Sequence, residues 1–448
     1  MAATKPFVLI CVTPLYGHVM PIRNIAANLV ARGYEVTFLS ASSRQQLIEE
    51  AGATFCPLEG TADYTEADAP RLWAEREKLP PGPEQLAWDF KEVFIGPVAD
   101  QYRSVQRGLE SLKAKDPERA IIVIAESMFL GTIPLKLQAP GLKPTAVIGL
   151  GIIPLILSSI DCAPAGPGLP PDASPEGRAK NAEMTKLIQE VVMAEPQAVF
   201  QRSLAAVGAK KSERFFLDGG YIYADRFLQM SLSEVEYPRS DLPSSIRFAG
   251  GLPKSKSTFQ TRPSWWPEIA VNAAKKKIVA VCQGTLAMNY SDLVIPTMQG
   301  FKDDPNILVV AVLGVKGGIL PPEIEVPSNS RVADYIPFDD LLAHADVFVT
   351  NGGYGGFQHA LSQGVPLVIG GSTEDKPEVA MRAAWAGVGV NLQTGTPSKD
   401  MVQEAVSKVL AEPHYKAKAR ELEVKMAMSD PYQVVADTVD EMATLLRV

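Results

Sequence analysis

The first forty residues alternate between unbroken apolar runs and a helical repeat. "FVLICV" (7–12) is apolar at every position, the pattern of a strand covered on both faces. After "TPLYGH" come Val19, Ile22, Ile25, Ala26 and Leu29, spaced three and four apart, with Gly33 marking the helix end. "EVTFLSA" (35–41) reads as a second strand. This succession predicts a βαβ unit with parallel strands and a right-handed crossover.

The same pattern recurs. "AIIVIAE" (120–126) and "TAVIGL" (145–150) are further buried strands, while residues 60–100 and 155–220 read as irregular or helical. "CAPAGPGLPPDASPEG" (162–177) is a proline- and glycine-rich loop. A second strand series follows "RSDLPSSIRFAGGLPKS" (239–255), a candidate linker: "KIVAVCQGT", "ILVVAVLG", "SRVADYI", "DVFVTNGG" and "PLVIGG". "DPYQVVADTVDEMATLLRV" (430–448) is a closing amphipathic helix, and Trp265–Trp266 reads as surface packing beside the linker. The fold class expected is α/β, two Rossmann-like doubly wound domains facing across a cleft, with ligands at the carboxyl ends of both sheets.

Bulk numbers narrow the function. A chain of 448 residues is too long for one core. A hydrophobic content of 46% with 21% charge suits a globular enzyme, and a net charge of −8 without a basic block argues against nucleic acid. Cys11, Cys56, Cys162 and Cys282 are far apart and form no C-x-x-C pair, so reduced thiols are expected. "MAATKPFVLICV" does not read as a signal peptide, and "AVIGLGIIPLILSSI" is too short for a membrane span and contains Pro154. A cytoplasmic location is the expectation.

Candidate chemistry gathers in two places. "TNGGYGGFQHALSQGVPLVIGG" (350–371) reads as strand end, turn "NGGYGG", and a short helix closed by Gly364. Glycines there let the chain turn tightly and present N–H groups at a helix N-terminus, which attracts phosphate. No G-x-G-x-x-G or G-x-x-x-x-G-K-[ST] follows any strand, so a dinucleotide or P-loop site is unsupported. The second place is His18, between a buried strand and a helix that contains Pro21. The positive potential of the helix N-terminus is expected to lower its pKa and keep the ring a neutral proton acceptor.

The segment from Val332 to Leu392 resembles the donor-binding signature of the GT-B UDP-glycosyltransferases, and "GHVMP" resembles that family's catalytic loop. The resemblance implies an inverting transfer of a hexose, glucose first, from UDP-sugar to a hydroxyl of an apolar phenolic or polyketide acceptor. It implies His18 as base and Glu126 where the family has an aspartate. Tyr335 falls where a tryptophan often stacks on uracil, with Ile336 supplying backbone hydrogen bonds. Gly353, Tyr354, Gly355 and Gly356 would wrap the diphosphate, Thr285 would donate to the phosphates, and Asp375 would bind sugar hydroxyls. Three positions depart from the family: Asn351 replaces a phosphate-contacting histidine, His359 a ribose-holding glutamate, and Lys376 a glutamine.

Trp88, Phe90, Phe94, Met128, Phe129 and Ile153 occupy segments that resemble acceptor walls. With no D-x-D triplet, no metal and no other cofactor is expected. The domains expected are 1–238 for the acceptor, 239–427 for the donor, and 428–448 as a helix packing back on the first; the state expected is monomer or weak dimer. A non-catalytic nucleotide-sugar-binding helper and a GT-B nucleotide-sugar epimerase are the alternative readings.

Overall fold

The computed structural model describes residues 4–80, 82–254, 262–284 and 287–445. Their strands form two all-parallel sheets. The first contains β1 (Phe7–Cys11), β2 (Glu35–Ser40), β3 (Thr54–Pro57), β4 (Ile121–Glu126), β5 (Ala146–Gly151), β6 (Arg226–Gln229) and β7 (Ile246–Phe248), in the order 3-2-1-4-5-6-7. The second contains β8 (Lys277–Cys282), β9 (Ile307–Val312), β10 (Ser330–Ala333), β11 (Val347–Thr350), β12 (Leu367–Ile369) and β13 (Gly389–Asn391), in the order 10-9-8-11-12-13.

Central strands β1, β4, β5 and β9 are buried at every position, because helices cover both faces of a parallel sheet. β3, β6, β7 and β13 were not legible as strands: three or four residues carry too little pattern, and pairing with a neighbour defines them. β7 lies inside the stretch expected to be a linker. It pairs with β6, Phe227 opposite Ile246, so the first domain runs past the 238 boundary. Trp266 is not at the surface either; it is buried in the second domain's core beside Ile269 and Leu342.

The first helix, Tyr16–Ala31, buries Val19, Ile22, Ile25, Ala26 and Leu29, and Gly33 at φ +84° ends it. It begins at Tyr16, earlier than the apolar repeat suggests, because the Glu66 carboxylate accepts the Tyr16 N–H. His18 therefore stands in the first helical turn.

The closing helix, Pro431–Leu445, crosses back to the first domain, where Val435, Ala436, Val439 and Met442 join a cluster with Val8, Ile10, Ile22 and Ile25. Val439 is fully buried there. Replacing it with aspartate puts an unpaired carboxylate into this cluster and should cost about 4 kcal/mol; thermal unfolding of Val439→Asp checks this as a lowered Tm.

Candidate active site

In each sheet the order reverses once, between β1 and β4 and between β8 and β11. Loops leaving the two central strands part there and open a crevice at the strands' carboxyl ends. In the first sheet Cys11 lies opposite Ala125, so the loop to His18 and the terminal Glu126 flank the same crevice.

His18 Nδ1 lies 3.2 Å from Glu126 Oε1, although its ring N–H is not aligned for a full hydrogen bond. That oxygen also accepts the Met128 N–H at 2.7 Å and the Ser127 hydroxyl at 3.1 Å. Glu126 is 1% exposed. Burial would raise its pKa, but His18, the Met128 N–H and the Thr13 hydroxyl outweigh this and hold the carboxyl below its usual range. Burial likewise opposes a charge on His18; the Glu126 carboxylate, with Asp375 and Glu66 farther off, overcomes it and raises the imidazole pKa. The lowering expected from the helix N-terminus is thus reversed, because a buried carboxylate at 3.2 Å acts more strongly than the helix end.

The glycine stretch forms the matching corner of the second sheet. Cys282 of β8 lies opposite Thr350 of β11, and the Asn351 side-chain amide donates to the Gln283 carbonyl across the gap. The helix begins at Tyr354 and runs to Ser362, so Gly355 and Gly356 form its first turn. Gly352 adopts φ +91°, a conformation that favours glycine. A Cβ on Gly355 would meet nothing within 4 Å, whereas one on Gly356 would touch Phe348. The first-turn N–H groups have no carbonyl partner within the helix and carry its positive end. Such a corner can hold a diphosphate.

Comparison with known proteins identifies the family. Residues 309–442 match the model of the erythromycin biosynthesis protein CIII-like C-terminal domain. UDP-glucosyltransferase B1 of Starmerella bombicola is 40% identical over 449 residues, covering 99% of this chain and 100% of the relative. UDP-glycosyltransferase 2 of Phaeomoniella chlamydospora is 40% identical over 449 residues, covering 99% and 97%. A solved structure, the glycosyltransferase of kitacinnamycin, is similar with a TM-score of 0.72 at 20% identity over 98% of this chain and 99% of that one. The chain belongs to the GT-B UDP-glycosyltransferase family.

In this glycosyltransferase the donor candidates divide into three groups. Tyr335 is half exposed near Tyr16 of the first domain, close enough for the two phenols to interact electrostatically. Asp375 feels the charge of His18 across the cleft, and burial raises its pKa. Ile336 and Tyr354 point their side chains into the core, so only their backbone can meet a ligand. His359 and Lys376 already have partners: His359 Nδ1 is 2.8 Å from Asp339, and the Lys376 ammonium holds the Thr373 hydroxyl at 2.8 Å and the Glu374 carboxylate. Thr285 lies outside the described residues.

Of the acceptor candidates, Phe94 stacks obliquely 6.2 Å from the His18 ring, and Phe90 lies 5.9 Å from Phe94 and 5.4 Å from Phe216. A π-helical turn, Phe90–Ile95, carries both phenylalanines. Met128 and Ile153 join this cluster. Phe129 does not; the turn after β4, in which its N–H donates to the Glu126 carbonyl at 2.9 Å, carries it into the core with Leu9, Tyr102 and Val105. Trp88 is half-buried and stands outside the cluster.

Several functional neighbours gave no clear signal in the sequence. Tyr64 is buried and donates to the Val93 carbonyl at 2.7 Å, fastening the aromatic turn beside Glu126. Gln283 accepts the N–H groups of Leu293 and Val294 at 3.1 and 2.9 Å and donates to the Asn289 carbonyl at 2.9 Å, shaping the loop after β8. A polar residue ending an apolar strand was the one available hint. Arg76 binds Asp89 at 2.6 and 3.0 Å and approaches Glu374 of the second domain at 3.7 Å.

Two glycine variants separate backbone need from ligand space. Gly355→Ala should leave the fold as stable or up to about 1 kcal/mol more so, while its added methyl weakens UDP binding. Gly352→Ala forces alanine to φ +91°, with Cβ 2.8 Å from Ile369, and should cost about 1–3 kcal/mol. Thermal unfolding and UDP titration calorimetry check both.

Proposed function

We propose that the enzyme transfers a hexose, glucose first, from its UDP donor to a hydroxyl of an apolar small molecule, with inversion and without a metal ion. The observation that carries this reading is the His18–Glu126 pair, set at 3.2 Å beside an aromatic wall and within electrostatic reach of Asp375. Nδ1 faces the carboxylate, which leaves Nε2 as the basic nitrogen for an acceptor hydroxyl. As the proton passes to Nε2, the acceptor oxygen attacks the anomeric carbon. The bond from that carbon to the diphosphate oxygen breaks, and UDP departs from the opposite face. Glu126 stabilises the imidazolium that forms. The N–H groups opening the Tyr354–Ser362 helix receive the charge that develops on the diphosphate, which makes a metal unnecessary.

Glucose is favoured because the relatives at 40% and 36% identity from Starmerella bombicola are UDP-glucosyltransferases. An aromatic acceptor, phenolic or polyketide, is supported by the apolar wall of Phe90, Phe94, Met128 and Ile153.

The test is UDP release and product anomer analysis with UDP-glucose and a panel of phenols. His18→Ala should lower kcat at least about a hundredfold, the scale of general-base catalysis, with UDP binding retained; near-normal turnover refutes the base. Addition of a chelator should leave the rate unchanged, and UDP binding without transfer to any acceptor favours a helper role.

The pH profile provides a separate check. A base must be unprotonated, so kcat/KM falls on the acid side as pH drops through the His18 pKa, which lies above that of an ordinary histidine. Glu126→Gln removes the main raising charge and leaves burial to lower the pKa. Its acid limb should shift to lower pH while kcat falls. An unmoved limb with an unchanged rate removes Glu126 from the mechanism.

A further inference from the structure

The helix Lys376–Trp385 begins directly after Asp375, and its second turn carries Arg382, which is 1% exposed. The guanidinium reaches both domains at once. Nε donates to Glu236 at 2.7 Å and Nη2 to the Leu155 carbonyl at 2.9 Å, both in the first domain. Nη1 donates to the Glu378 carboxylate on its own helix at 3.0 Å. The two carboxylates extend the link. Glu236 accepts the Leu155 N–H at 3.0 Å, and Glu378 accepts those of Gly166 and Gly168 at 2.9 and 3.0 Å. Gly168, at φ +61°, presses so closely on this helix that a Cβ would lie 2.5 Å from the Pro377 carbonyl.

A buried ion pair holds its partners strictly, because losing either one strands a charge away from water. Arginine's planar fork also fixes direction, which a lysine ammonium does not. Arg382 stands seven positions along the helix from Asp375, about 10 Å of rigid rod. Leu155 lies two residues beyond Ile153 of the aromatic wall, and Asp375 lies within electrostatic reach of His18.

We infer that Arg382 is a positioning residue: with Glu236 and Glu378 it fixes the interdomain distance at which a sugar held by Asp375 meets the acceptor oxygen at His18. It touches no substrate. The inference rests on the roles given above to His18 and Asp375. The glycine corner and Tyr335 lie on other elements of the second domain, so UDP binding should not depend on Arg382.

The experiment compares kcat with UDP affinity from calorimetry in Arg382→Met, Arg382→Lys and Glu378→Gln. Arg382→Met should lower kcat at least about tenfold, the scale of a small misplacement of reacting groups, with the UDP Kd within about twofold of the parent. Arg382→Lys should fall between parent and methionine, since one ammonium cannot reach Glu236, Glu378 and Leu155 together. Glu378→Gln keeps an acceptor for Gly166 and Gly168 and should lose kcat with the UDP Kd unchanged; it decides the matter if Arg382→Met does not fold. An unchanged kcat in folded variants overturns the inference, as does a parallel loss of kcat and UDP affinity, which would mark a role in stability alone. Retained turnover in His18→Ala refutes the base while leaving the Arg382 comparison readable, so the two failures are distinct.

Discussion

A parallel sheet delivers the carboxyl ends of its strands to one edge, and where the strand order reverses the departing loops must separate. This enzyme uses the constraint twice, with β1 and β4 flanking one gap and β8 and β11 the other. The gaps are filled differently because their rims differ. The first holds an imidazole and a carboxylate; the second holds glycines and an amide, whose backbone N–H groups are the main polar feature. On the proposed reading, proton removal and diphosphate binding fall on two separate platforms, and the reaction needs them brought to one distance.

Buried charge sets much of that distance. Glu126 loses nearly all contact with water and remains ionised because His18 and the Met128 N–H replace its hydration. Arg382 repeats this between the domains, with Glu236, Glu378 and the Leu155 carbonyl in place of solvent. In both places satisfying a charge also imposes geometry: the first holds the imidazole Nδ1 3.2 Å from the carboxylate, and the second ties the Asp375 helix to the first domain. The surface approach of Arg76 to Glu374, at 3.7 Å and partly solvated, constrains far less.

The departures at Asn351, His359 and Lys376 take on meaning only in their surroundings. Asn351 spans the gap to Gln283, holding the glycine corner to β8. His359 is fixed by Asp339 from the helix Phe338–Leu342, twenty residues upstream. Lys376 is neutralised by Glu374, so the charge that replaces a glutamine is compensated locally.

The long apolar strands, the two-domain α/β plan, the glycine corner and the place of His18 after a buried strand were legible in the sequence because each is a local pattern: a run, a period or a residue at a strand end; Glu126 was reached only through the family resemblance. The four short strands, the start of the first helix at Tyr16 and the core position of Trp266 were not, since pairing partners, the Glu66 cap and packing neighbours lie far away in the chain. The direction of the His18 pKa shift was also inaccessible, because it depends on a carboxylate 108 residues later approaching to 3.2 Å. Local patterning fixes what each segment becomes. Which charges meet, and therefore how strongly a base holds its proton and how far apart two domains stand, is decided when distant segments are pressed together and water is removed from between them.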